Sequence, residues 1–108
     1  MEVSSIVMDL QALIEQIRKG SDALYNAELE LAQRELDLDK AESLAFINAE
    51  GSVADRQTRA KLEVADLRFE RDVARAGVNR IRTKIKGLES ELMAQATISK
   101  LTAAEMRL

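Results

Sequence analysis

Apolar side chains recur along the first half of the chain at alternating steps of three and four residues, the spacing of a helix that buries one stripe. One heptad position, named a, holds Val3, Leu10, Ile17, Leu24, Leu31, Leu38 and Ala45. The other, named d, holds Ile6, Leu13, Gly20, Ala27, Arg34 and Ala41. The pattern keeps one register for about six heptads and therefore predicts a long helix with a coiled-coil seam.

The second half of the chain carries a matching repeat. Its a positions are Gln57, Val64, Arg71, Val78, Ile85 and Leu92. Its d positions are Val53, Ala60, Leu67, Ala74, Ile81 and Leu88. Beyond these residues the repeat weakens, because Gln95, Ser99 and Thr102 occupy seam positions. We expect either a shift of register onto Ile98 and Leu101 or a short terminal helix capped by Thr102.

Gly51 and Ser52 separate the two repeats. Gly51 can adopt the positive φ that ends a helix. Ser52 can cap the next helix, and Asp55 stands three residues further on, in the capping-box position. The sequence therefore predicts one domain, with a first arm over about residues 4–50, a turn at 51–52, a second arm over about 53–95 and a C-terminal tail at 96–108.

Gly20 and Ser21 form a second candidate break, because Arg18 and Lys19 precede them as in the last turn of a helix. The heptad register nevertheless runs through these residues without a slip. We therefore expect a kink at Gly20 or an uninterrupted helix, in preference to two separate helices.

Charged residues flank both seams at intervals of seven. The acidic set is Glu28, Glu35 and Glu42, and the basic set is Lys61, Arg68, Arg75 and Arg82. Counted outward from the turn, Glu42 matches Lys61, Glu35 matches Arg68 and Glu28 matches Arg75, and the residue numbers of each pair have the same sum. A constant sum is what two antiparallel helices require.

The two halves of the chain also carry opposite charge. Residues 1–50 have 4 basic and 11 acidic side chains, a net −7, whereas residues 51–108 have 12 basic and 8 acidic side chains, a net +4. Opposite charges favour folding back of one half on the other. The predicted fold is therefore all-α, a long antiparallel two-helix coiled-coil hairpin.

A second apolar stripe lies outside the seam on each arm. On the first arm it is centred on Tyr25, Leu29 and Leu36, and on the second arm on Leu62, Phe69 and Val73. A helix that is apolar on two faces is normally buried on two faces. We therefore predict a homo-oligomer, in preference to a monomer that needs a different partner. Two hairpins forming a four-helix bundle are the simplest closed arrangement, and a larger ring or barrel is the alternative.

Arg34 and Arg71 face each other in one predicted seam layer. Glu30, Asp37 and Glu70 lie along the edge of the same layer. One interpretation is a polar layer that sets the register of the two helices. The alternative is a site for a phosphate or an acidic ligand. We favour the first, because carboxylates already balance the two arginines.

The composition argues against catalysis. The chain has no cysteine and no histidine, and so lacks the commonest nucleophilic thiol, general base and transition-metal ligand. No glycine-rich phosphate loop is present. We expect no enzyme activity, catalytic residue, metal, cofactor or small-molecule substrate. No apolar run approaches the length of a membrane span, so we expect no membrane partner and a cytoplasmic location.

A basic run distinguishes the second arm. Arg75, Arg80, Arg82, Lys84 and Lys86 follow one another without an intervening acidic residue. Such a patch can neutralise phosphates without reading bases. The alternative is an ordinary solvated helix face on which Arg75 and Arg82 form ion pairs within the hairpin. No aromatic side chain is interleaved with this run, so stacking on bases is not supported.

The segment from Lys40 through the Gly51-Ser52 turn to Arg68 resembles small helical proteins encoded by tailed phages. The order of an acidic helix, a Gly-Ser turn and a basic helix, over about residues 25–90, is similar to that of phage recombination mediators. This resemblance implies an oligomeric accessory protein in DNA recombination or replication, in the host cell cytoplasm, that binds single-stranded DNA or a DNA-processing protein. The alternative is a coiled-coil scaffold, adaptor or inhibitor that acts only through protein partners.

Overall fold

The computed structural model describes residues 3–107, and nearly all of them are helical. Helix α1 spans Val3–Asn48, α2 spans Val53–Glu63 and α3 spans Ala65–Arg107. No strand occurs within these residues. The all-α class predicted from the heptad repeats is confirmed.

Helix α1 continues through Gly20 without a break. A Cβ atom added at Gly20 would lie 2.9 Å from Cγ1 of Ile85, closer than such atoms approach in proteins. Gly20 therefore allows the buried side chain of Ile85 to pack directly against the backbone of α1. The unbroken helix at Gly20 agrees with the heptad register, which continues through this residue without a slip.

The turn forms where Gly51 and Ser52 predict it. Gly51 has φ +111°, a value that side-chain-bearing residues rarely adopt. The Ser52 hydroxyl accepts a hydrogen bond of 3.2 Å from the backbone N–H of Asp55 and so caps α2. Asp55 also places a negative charge in the first turn of α2, where the helix dipole favours it.

Arg56 ties the two sides of the turn together. Its Nε donates a hydrogen bond of 3.2 Å to the carbonyl oxygen of Phe46, in the last turn of α1. Its guanidinium also lies 4.3 Å from the centre of the Phe46 ring. A basic group there satisfies a terminal carbonyl and stacks on an aromatic face at the same time.

The second arm was predicted as one helix, but it is interrupted at Val64. This residue has φ −102° and ψ 15°, outside the helical range, although it is buried. The backbone N–H of Val64 still donates to Ala60 at 3.2 Å, and the N–H of Arg68 donates to Val64 at 3.0 Å. The interruption is therefore a local distortion with hydrogen bonds on both sides.

The C-terminal segment continues as helix beyond residue 95, to Arg107. The expected shift of register is wrong, because Leu101 is exposed whereas Ser99 and Thr102 are half-buried. The expected cap at Thr102 is also wrong. The Thr102 hydroxyl donates 2.9 Å to the carbonyl of Ile98 within the helix, so its polar group is satisfied there.

The chain forms two compact units, one of residues 25–79 and one that combines residues up to 24 with residues from 80 onward. The buried side chains of the first are Leu38, Ala45, Ala60, Val64 and Val78. Those of the second are Ile6, Leu13 and Ile85. Every one of them occupies a predicted a or d position, so the heptad repeat located the core of each unit.

Two predicted seam positions near the turn are not buried. Val53 and Gln57 are both exposed. Val53 is the first residue of α2 and follows the end of α1 at Asn48, whereas Gln57 is polar and lines an open groove with Phe46 and Ile47 of α1. Among residues 3–107 no helix combines the length and apolar character needed to cross a membrane.

Candidate interaction surfaces

The six apolar residues of the predicted second stripes lie on the surface of the 25–79 unit. On α1 these are Tyr25, Leu29 and Leu36, and on α2 and α3 they are Leu62, Phe69 and Val73. Their exposed fractions range from 46% for Leu36 to 74% for Leu62. Full burial of one such side chain is worth about 1.5–3 kcal/mol, so covering this surface would be strongly favourable.

A further group of exposed apolar residues surrounds the turn. Leu44 and Ile47 precede it on α1, and Val53 follows it at the start of α2. This group was not predicted, although the sequence does place the apolar residues Leu44 and Ile47 outside the seam.

The predicted phosphate-binding residues do not share one environment. Arg75 forms an ion pair of 3.4 Å with Glu35, and Arg82 also has an interaction partner. Arg80, Lys84 and Lys86 are exposed, and none of them belongs to an ion pair within residues 3–107. The last three are therefore the members of the set most accessible to a phosphate.

Arg34 brings together two of the predicted polar-layer carboxylates. Its guanidinium lies 3.1 Å from Glu70 and 3.6 Å from Glu30. Because Glu70 lies on α3 and Glu30 on α1, Arg34 bridges the two helices. The side chain is 40% exposed, so solvent weakens each of these pairs.

The other predicted members of the layer bond elsewhere. Nε of Arg71 lies 2.8 Å from a carboxylate oxygen of its neighbour Asp72. Asp37 accepts a hydrogen bond of 2.8 Å from the side-chain amide of Gln33 on the same helix. Only Arg34, Glu30 and Glu70 are therefore joined, and the role of the layer in setting register stays a prediction.

The ion pairs beside the seam differ from the predicted ones by one heptad. Glu42 pairs with Arg68 at 3.2 Å, in place of Lys61. Glu35 pairs with Arg75 at 3.4 Å, in place of Arg68. The predicted partners of both glutamates were wrong, although the constant sum of residue numbers holds for the observed pairs.

The direction of helical side chains explains this difference. The Cα–Cβ bond of a helical residue tilts toward the N-terminus of its own helix. Where two neighbouring helices run in opposite directions, long side chains consequently lean past each other. A glutamate on α1 then reaches the arginine whose Cα lies further from the turn, as Glu42 reaches Arg68.

The residues that the structure describes contain no group of three or more acidic side chains able to hold a metal ion. Comparison with known proteins finds no matching family model, curated protein or solved structure.

Proposed function

We propose that the chain is an antiparallel coiled-coil hairpin that associates with copies of itself and serves as a non-enzymatic interaction module. The observation that carries this proposal is the exposure of Tyr25, Leu29 and Leu36 on one arm and of Leu62, Phe69 and Val73 on the other. Contiguous apolar surface on a protein marks a binding site or an aggregation liability.

The second apolar stripe of each arm supports the same proposal. Two helices alone cover only one stripe of each other, and the second stripe of each arm stays in water. A second hairpin would bury the two stripes at once and complete a four-helix bundle. Symmetric self-association is the commonest way in which soluble proteins close such surfaces.

The ion pairs support the hairpin. Glu42 contacts Arg68 and Glu35 contacts Arg75, so residues further from the turn on α1 meet residues further from it on α3. This order is the one that two antiparallel helices produce. The cap at Ser52 and the positive φ of Gly51 supply the reversal between them.

A charge placed in the stripe tests self-association. We expect Phe69→Asp to lower the mass measured by light scattering on a sizing column, because a buried aspartate would cost several kcal/mol in an interface. Met93→Asp is the matched control, since Met93 is 72% exposed, close to the 70% of Phe69, but lies outside the stripe. A wild-type chain of monomer mass at every concentration would refute the proposal.

The exposed basic residues favour a second function, phosphate contact with single-stranded DNA. In this proposal the oligomer acts as an accessory protein, of the phage type, in DNA recombination or replication. Arg80, Lys84 and Lys86 would make the accessible contacts, and Arg75 and Arg82 would add to the positive potential. Oligomerisation would multiply the effect of a patch that is weak in one copy.

Salt-dependent DNA binding tests this second function. We expect fluorescence anisotropy with a labelled single strand to show binding at low salt that weakens steeply as salt rises. The double variant Arg80→Glu with Lys86→Glu should abolish it, whereas Lys40→Glu with Lys100→Glu, which changes net charge equally, should retain most of it. An oligomer that does not bind DNA at low salt would refute this second function and favour a role through protein partners only.

A further inference from the structure

The unit formed by residues 3–24 and 80–107 contains a groove of about 340 Å³ between α1 and α3. Its lining includes Lys19, Gly20, Ala23, Ile81, Lys84 and Leu88. The volume lies at the lower end of the range of about 300–1,000 Å³ that small-molecule sites occupy. Of its lining residues, only Lys84 belongs to the DNA-binding set proposed above.

Small residues of α1 shape the groove. At Gly20 the space is filled by Ile85, which is buried and also lines the groove. Ala23 has only a methyl group and therefore covers little of the aliphatic surface beside it. Ile81 and Leu88 of α3 are half-buried and line the groove. The interior of the groove is therefore aliphatic, and water within it is easily displaced by another apolar group.

Two lysine side chains line the same groove. Lys19 on α1 and Lys84 on α3 both line it, and neither belongs to an ion pair within the described residues. No acidic side chain lines the groove alongside them. An occupant with an anionic end would consequently meet two unmatched positive charges, beside apolar surface that suits an uncharged chain.

We propose that this groove binds a small aliphatic carboxylate, such as the anion of a medium-chain fatty acid. The carboxylate would lie against Lys19 and Lys84, and the hydrocarbon would cover Ile81 and Leu88. The groove has no aromatic lining residue, so a nucleobase would find no ring to stack on. The proposal does not require self-association, and it shares only Lys84 with the proposed DNA-binding set.

Titration with decanoate, kept below its micelle concentration and followed by amide and methyl NMR, tests the proposal. We expect saturable shifts at Gly20, Ala23 and Ile81. Acetate lacks the chain and 1-decanol lacks the charge, so each should bind at least about fivefold more weakly. Absence of saturable shifts with decanoate would overturn the proposal.

Matched variants locate the site. Lys84→Glu should weaken decanoate binding about fivefold to tenfold, because an attraction becomes a repulsion. Lys86→Glu, on the same helix but outside the lining, should leave it unchanged. Ala23→Leu should fill the groove and abolish binding while circular dichroism shows an intact helix. Equal losses in the Lys84 and Lys86 variants, or full binding by the Ala23 variant, would contradict the assignment.

Discussion

The same substitution at two valines of α3 should have very different effects on stability. Val78 is 1% exposed, whereas Val73, five residues earlier on the same helix, is 55% exposed. Both lie in the 25–79 unit and in helical backbone, so Val→Ala changes helix propensity equally at each. Any difference between the two variants therefore reports burial.

The size of the difference follows from the atoms removed. Val→Ala deletes two carbon groups, worth about 0.8 kcal/mol each when fully buried, and a cavity adds to this cost. The higher helix propensity of alanine offsets about 0.5 kcal/mol of this loss. We expect Val78→Ala to lower the free energy of unfolding by about 1.5–2.5 kcal/mol. Val73→Ala should change it by less than about 0.5 kcal/mol in the monomer.

Urea unfolding followed by circular dichroism measures both values, provided that the m-value is unchanged between variants. The measurement is repeated over a range of protein concentrations, because self-association makes stability concentration-dependent. A cost for Val73→Ala that grows with concentration would support burial of the stripe in an oligomer. A cost below about 0.5 kcal/mol for Val78→Ala would refute the assignment of Val78 to the core.

Two further predictions concern the turn and the register of the ion pairs. Gly51→Ala should destabilise the chain by about 1–3 kcal/mol in thermal or urea unfolding, because φ is +111° there, whereas Gly77→Ala, in open helix, should stabilise it by about 0.5–1 kcal/mol. The same sign for both would contradict the turn geometry. A double-mutant cycle on Glu42 and Arg68, which are 3.2 Å apart, should give a coupling of about 0.5 kcal/mol that falls with salt. The cycle on Glu42 and Lys61 should give none, and the reverse ranking would restore the register predicted from the sequence.

Burial along most of the seam could be predicted because it depends mainly on spacing, and the exposed positions Val3, Val53 and Gln57 lie at the ends of the two repeats. A repeat of seven puts Leu38 on the apolar stripe of the first arm and Val64 and Val78 on that of the second arm, and all three are buried. The turn could be predicted for a similar reason, since a glycine followed by a serine supplies both the unusual φ and the cap. Both predictions needed only local chemistry.

The pairing of charges could not be predicted from spacing, because two registers one heptad apart give equally regular patterns. The choice between Lys61 and Arg68 as the partner of Glu42 depends on the lean of long side chains toward the N-terminus of each helix. A pattern of residue numbers contains no such direction. The contact of Arg56 with Phe46 was missed for a related reason, since it requires the path of the chain through the turn.

The C-terminal segment shows a different limit of the sequence pattern. Polar residues on the seam suggested that the helix changed register, yet Ser99 and Thr102 remain half-buried in the original one. A hydroxyl that bonds to its own helix, as that of Thr102 does to Ile98, costs little at a partly buried position. Polarity alone therefore did not identify the end of the repeat.

Lys84 belongs to both the DNA-binding set and the groove, so its substitution cannot separate the two proposals. Lys19 lines the groove but is outside the DNA-binding set, and Lys86 is in that set but does not line the groove. If both proposals hold, Lys19→Glu should weaken decanoate binding more than DNA binding, and Lys86→Glu should do the opposite. Parallel titrations of the Lys19→Glu, Lys84→Glu and Lys86→Glu variants with decanoate and with a single-stranded oligonucleotide measure both affinities. Loss of both ligands in all three variants would mean that net charge alone governs binding, and neither site would stand.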